Sequence, residues 1–239
     1  MDICAGTSAG EFYLYIWSVL GKLYCGLYYF GYCNPETYKE IKGIKMNIVF
    51  DDITLRDYQL SDVEDEIRWT NVETEWFYKD TPWMTMEPVD PEELRSDMIE
   101  IMNSMPDDAI RWRFEIEVEG RHIGMVSSCY LDENFENTPW DSIDQSKNAE
   151  ENHSVRELGI EICEMDYWGR GIGAKALTAL MEYYRGLGEQ RFVLQTWSGN
   201  LRMLGCARKL GFYEVKRTKG AHIVNGKEYD ALVLEKRFQ

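Results

Sequence analysis

Tyr167-Trp168-Gly169-Arg170-Gly171-Ile172-Gly173-Ala174 is the stretch on which the fold turns. It follows Glu157-Leu158-Gly159-Ile160-Glu161-Ile162-Cys163, which reads as a strand, and precedes Lys175 to Tyr184, which is spaced as a helix. Strand, glycine-rich turn and helix in that order point several unpaired backbone N–H groups at an anion. Glycines at 169, 171 and 173 permit close approach and dihedrals that a Cβ would forbid. A phosphate-bearing cofactor is the expected occupant. The dinucleotide pattern G-x-G-x-x-G fails because Ala176 stands at its third glycine, and no G-K-[ST] follows for a triphosphatase loop.

The chain continues with a strand, Arg191-Phe192-Val193-Leu194-Gln195-Thr196-Trp197. Asn200-Leu201-Arg202-Met203 then opens a helix, which closes on Lys209-Leu210-Gly211-Phe212. Together these segments resemble the GNAT superfamily of acyl-CoA-dependent N-acyltransferases. The Tyr-Trp-Gly-Arg-Gly-Ile-Gly spelling is similar to the branch of ribosomal-protein and polyamine acetyltransferases. The resemblance is strong over about residues 157–215, looser from Met46 to Leu131 and absent before Met46.

The resemblance implies an α+β fold, a mixed and mostly antiparallel sheet flanked by helices, with acetyl-CoA as co-substrate. Pantetheine would enter between the fourth and fifth strands, where Ile162 and Cys163 offer backbone groups. The amides of Gly169, Arg170, Gly171, Ile172, Gly173 and Ala174 would hold the pyrophosphate, aided by the helix dipole and by the charge of Arg170. Trp168 replaces the Gln or Arg common in the family, which removes a side-chain contribution and leaves backbone contacts intact. Asn200 would contact pantetheine, or serve only as a helix N-cap. Many relatives carry a tyrosine general acid seven residues after that Asn; here the position is Ala207, so no residue inherits the role.

The general base is read from the strand itself. A period of two places Glu157, Gly159, Glu161 and Cys163 on one face and Leu158, Ile160 and Ile162 on the other. Burying carboxylates on a central strand is costly without purpose. Glu161, nearer the thioester end, is the better base for an alkylamine of pKa about 10.4, and Glu157 is second. A carboxylate facing a solvated cleft or a salt bridge is the competing reading. Cys163 reads as packing, since no histidine lies near it in sequence.

The net charge of −16 argues against nucleic acid as a partner. Residues 46–167 carry 32 acidic and 9 basic residues, whereas residues 168–239 carry 6 and 13. That division suits a polyanionic cofactor on the C-terminal half and a cationic acceptor on the other, or equally a solubilising surface. Six cysteines without a C-x-x-C pair indicate reduced thiols and a cytoplasmic setting; Cys25 and Cys33 are the close pair. His122, His153 and His222 share no ligand-like spacing, so no metal is expected.

Residues 1–45 are expected to be an extension outside a domain spanning 46–239. Phe12 to Cys33 is long enough for a membrane helix, but nine aromatic residues and Lys22, which would cost about 2.5–3.5 kcal/mol mid-span, count against an anchor. A first strand is expected over Ile48–Arg56. A helix should start at a capping box, Ser61 to Glu64, and run to Phe77, and a second should start at Asp90-Pro91. Hairpins are expected across Gly120 and across Asn225-Gly226. Residues 132–155 form a long acidic loop, either a substrate-side lid or a mobile insertion.

The sequence thus reads as an acetyl-CoA-dependent N-acetyltransferase for a cationic amine. The acceptor classes are a polyamine or aminoglycoside-like small molecule and a protein N-terminus, and a homodimer is left open. The alternative is a catalytically weak acyl-CoA-binding regulatory domain.

Overall fold

A computed structural model describes residues 46–105, 109–139 and 142–239. The extension over 1–45, with its anchor alternative and the Cys25–Cys33 pair, lies outside the described residues. Eight strands form one sheet in the order β1-β2-β3-β4-β5-β6-β8-β7. They are β1 (Asn47–Phe50), β2 (Ile53–Arg56), β3 (Arg113–Val118), β4 (Arg121–Leu131), β5 (Val155–Ile162), β6 (Arg191–Trp197), β7 (Tyr213–Val224) and β8 (Lys227–Arg237). Every pairing is antiparallel except β5 with β6. Helices α1 (Val63–Asn71), α2 (Glu75–Asp80) and α3 (Pro91–Ser104) precede β3, α4 (Ile172–Gly186) joins β5 to β6, and α5 (Leu201–Lys209) follows β6.

Three local expectations are corrected. The first strand is a hairpin, because Asp51 turns the chain at φ 56° and folds β2 back on β1. The first helix does not begin on a Ser61 box: Asp62 accepts the Gln59 N–H at 2.7 Å and pairs with Arg56 at 2.7 and 2.8 Å. That helix ends at Asn71, and Trp76 and Phe77 belong to a separate short helix, α2. Where the sequence signals were backbone-specific they were met: the Asp90 carboxylate caps α3 through the Glu92 and Glu93 N–H groups, with Pro91 at the first turn.

The sheet divides chemically. One face, carrying Leu55, Phe114, Ile116, Val126 and Leu158, packs on Ala176, Leu177, Leu180 and Tyr184 of α4. Each large apolar side chain buried there contributes about 1.5–3 kcal/mol. The other face carries charge beneath α1. Arg113 pairs with Glu115 at 2.6 Å and with Glu66, while the His122 ring meets Glu115 at 2.9 Å and Asp65 at 3.1 Å. Asp62, Asp65 and His122 stand close enough to suit a metal, a grouping the histidine spacing did not announce.

The acidic loop is fastened rather than loose. Gln195 Nε2 donates to the Phe135 carbonyl at 3.0 Å, and the Ala149 N–H donates to Glu189 at 2.9 Å. Ile143 and Ala149 are buried against Tyr130. No helix among the described residues is long and apolar enough to cross a membrane.

Candidate active site

The site arises where two parallel strands part. β5 and β6 are in register only at Arg156–Phe192 and Glu157–Val193, whereas β4 follows β5 as far as Gly124–Ile162. Arg156 pins the closed end: it pairs with buried Glu189 at 3.0 and 2.5 Å and lies 4.2 Å from the ring centres of Tyr130 and Tyr184. At the open end β4 hugs β5 so closely that a Cβ on Gly124 would sit 2.0 Å from the Glu161 carbonyl oxygen. Leu158 to Ile162 are thus drawn to β4 and leave a gap toward β6.

A cleft of about 440 Å³ opens at this end of β5, lined by residues of β5, the glycine turn, α2 and α5. Gly171 caps α4 in the left-handed conformation, φ 82° and ψ 0°, with no side-chain cap and no acidic residue in the first turn. The first N–H groups of a helix lack intrahelical partners. Among the described residues no carboxylate caps them, so the helix end suits an external anion. Gly173 packs closely: a Cβ there would lie 3.5 Å from Ile160 and 4.0 Å from Cys206. Lys79, Arg202 and Lys209 also line the cleft and supply positive charge. Arg202 lies 4.2 Å above the Trp168 ring, and the Trp168 indole donates to the Ile162 carbonyl at 2.7 Å.

Of the sequence-derived residues, Glu161, Ile162, Gly169, Gly171, Ile172, Gly173, Ala174 and Asn200 line the cleft. Three others stand apart. Cys163 packs with Trp69, Trp76, Phe77 and Met86, and its N–H donates to the Ile123 carbonyl at 2.9 Å, so it has no N–H to offer a thioester. Arg170 is exposed and lies 4.9 Å from the Tyr167 ring centre. Glu157 takes the Cys129 thiol at 3.1 Å rather than facing the cleft, and burial pushes its carboxyl up to about 7. Ala207 is buried in the core, Tyr213 is half exposed, and among the described residues Tyr167 is the one tyrosine lining the cleft.

Glu161 is 9% exposed, and among the described residues its Oε2 has no hydrogen-bond partner. Burial, and next the charge of Asp80, hold its carboxyl well above the ordinary range. Asp80, which the sequence did not single out, ends α2 inside the same cleft. Asn200 Nδ2 donates to its carboxylate and the Trp197 indole to its carbonyl, both at 2.6 Å. Burial lifts the Asp80 carboxyl to about 6, against the opposing pull of Arg202 and the Asn200 hydrogen bond. Behind Trp197 stands an aromatic panel, with Trp83 stacked on His222 at 3.7 Å and edge-on to Trp197 at 5.4 Å.

The family model described as the acetyltransferase (GNAT) domain matches residues 52–213, and the chain belongs to that family. It is an N-acetyltransferase whose co-substrate is acetyl-CoA. No curated protein matches it in sequence. Among solved structures it is similar in fold to RimL, a ribosomal L7/L12 alpha-N-protein acetyltransferase in complex with coenzyme A. Identity there is 19%, TM-score 0.59, with 81% of this chain and 98% of the other covered. A Salmonella typhimurium acetyl transferase that modifies the N-terminal serine of ribosomal protein L7/L12 gives 19%, 0.55, 81% and 100%. The microcin C7 self-immunity acetyltransferase MccE, in complex with acetyl-CoA and AMP, gives 22%, 0.54, 79% and 93%.

Proposed function

We propose that this enzyme acetylates a cationic amine, either a polyamine or aminoglycoside-like small molecule or a protein N-terminus, by direct attack of the amine on the thioester. One observation carries the reading. Glu161, whose buried Oε2 has no partner among the described residues, lines the same cleft as the uncapped N-terminus of α4. An anion-binding end and a proton-accepting end in one cleft are what amine acylation from a coenzyme A ester requires.

Acetyl-CoA supplies the activated acyl group. The N–H groups of Gly171 to Ala174 hold its pyrophosphate, with Lys209 and Arg202 adding charge, and the β5–β6 gap takes its pantetheine arm. Glu161 accepts the acceptor's proton, and its raised carboxyl is the stronger base for it. Unbridged thiols at Cys163 and Cys206 support a cytoplasmic setting.

The test is thiol release from acetyl-CoA by the purified full chain across polyamines, aminoglycosides and serine- or alanine-initiated peptides. Amine-dependent release identifies the acceptor class. Tight acetyl-CoA binding without release to any amine would make the chain an acyl-CoA-binding module, the reading favoured by the buried Ala207, which leaves no hydroxyl at the family's acid position.

A further inference from the structure

We propose that Asp80 and Glu161 work as one carboxylate pair that receives the acceptor's ammonium, Asp80 holding the cation while Glu161 takes its proton. This rests on the amine-acetylating reading above and adds a residue that the glycine-turn pattern does not contain.

Both side chains line the same cleft, one from the end of α2 and one from β5. Asp80 is fixed at two points: Asn200 holds its carboxylate and Trp197 its carbonyl. Its aim therefore does not depend on a ligand. Glu161, by contrast, keeps an oxygen without a partner, although it is nine-tenths buried. A chain does not leave a buried carboxylate oxygen empty without cost, and an N–H donor brought by a substrate removes that cost. The groups felt by Glu161 are Asp80, Arg113, Glu66 and Glu115, while Asp80 feels Arg202 and Asn200. Arg113 is already engaged by Glu66 and Glu115, and among the described residues no ion pair joins Asp80 or Glu161 to a cation, Arg202 acting on Asp80 only through its charge. The charge of Asp80 opposes ionisation of Glu161, and a bound ammonium relieves that opposition.

The step then balances. The ammonium docks on Asp80 and gives one proton to Glu161. The freed nitrogen forms its bond to the thioester carbon, the C–S bond breaks, and the second proton lost by nitrogen leaves with the coenzyme A thiolate. Glu161 returns its proton to solvent.

The experiment is a carbon-detected NMR titration of the side-chain carboxyls in the full chain, for wild type, Asp80→Asn and Glu161→Gln. Methylammonium chloride is compared with an equal concentration of sodium chloride. Coupling predicts that Glu161 titrates at lower pH in Asp80→Asn, that Asp80, which ionises first, keeps its midpoint in Glu161→Gln, and that methylammonium lowers both midpoints in wild type. A Glu161 midpoint unmoved in Asp80→Asn overturns the pair, and coupled midpoints that methylammonium leaves unmoved overturn its role in holding the cation. Neither readout needs turnover. A wild-type enzyme that releases no thiol to any amine is therefore a separate failure, that of the reaction itself.

Discussion

The Asn200 side chain donates to the Asp80 carboxylate at 2.6 Å while accepting the Met203 N–H at 3.0 Å. One amide therefore caps α5 and aims a cleft carboxylate. The two duties separate by substitution. Asn200→Ala should cost about 1 kcal/mol through the lost cap and also release Asp80. Asn200→Ser keeps an oxygen for the cap but is too short to reach across to Asp80. Its melting temperature should stay near wild type while kcat/KM for the amine falls about 10-fold or more, the scale of a lost hydrogen bond to a charged group. Equal activity in Asn200→Ser and wild type would show that the aim of Asp80 does not matter.

Glu161→Gln should lower kcat by about 10²–10⁴, the range for losing a general base, with acetyl-CoA affinity preserved. The substitution is isosteric and neutral in a site where burial already disfavours charge, so the fold should tolerate it. A wild-type rate at every pH would send the proton elsewhere, and Glu157 would be the next carboxylate to replace.

Gly171→Val should remain folded and lose acetyl-CoA affinity. In this structure a Cβ at 171 meets nothing within 4 Å, so the penalty is in the backbone, at φ 82°, rather than in crowding. A left-handed non-glycine residue costs about 1–2 kcal/mol, more for a β-branched one, and relief of that strain would turn the first N–H groups of α4 away from the cleft. Isothermal titration calorimetry on the folded variant decides it; unchanged affinity would remove the pyrophosphate from this turn.

A chain beginning at Met46 should fold and bind acetyl-CoA like the full chain. The Met46 N–H donates to the Asp57 carboxylate at 2.9 Å and its carbonyl accepts the Asp57 N–H at 3.0 Å, so ordered pairing is present from that residue onward. The check is thermal melting with and without acetyl-CoA. A markedly lower melting temperature would place the domain boundary earlier than Met46.

The glycine turn, the faces of β5 and the caps of α3 and α5 were legible in sequence because each rests on local chemistry: left-handed backbone, period two, and an Asp or Asn facing free N–H groups. What escaped was set by distance. Asp80 is an ordinary helix-end acid until Asn200 and Trp197, more than a hundred residues away, fasten it in the cleft. Cys163 lies on the face expected for it, yet the Ile123 carbonyl takes its N–H, and no motif announces that contact. Asp51 and Asp52 sat within an otherwise strand-like run, and only the left-handed turn at Asp51 divides it.

Glu157 supplies a test of burial against charge. Its carboxyl is lifted from an ordinary 4.5 to about 7, by burial first, with the Cys129 thiol and a backbone hydrogen bond from Gln195 opposing the rise. A carboxyl raised on folding favours the native state while it stays protonated. Its contribution is whole below about pH 4.5 and is lost as pH climbs through about 7. Glu157→Gln removes this titration. Its melting temperature, relative to wild type, should therefore rise between pH 4 and pH 8, by about 3 °C or more. Any fixed cost of fitting an amide beside Cys129 applies at every pH and cancels in that difference. Carboxylates held low, such as Glu115 at about 2 beside Arg113 and His122, titrate alike in both proteins and cancel as well. Melting curves of both proteins at half-unit pH steps measure the gap; a gap that stays constant with pH would mean that Glu157 is ionised at no cost in the folded protein.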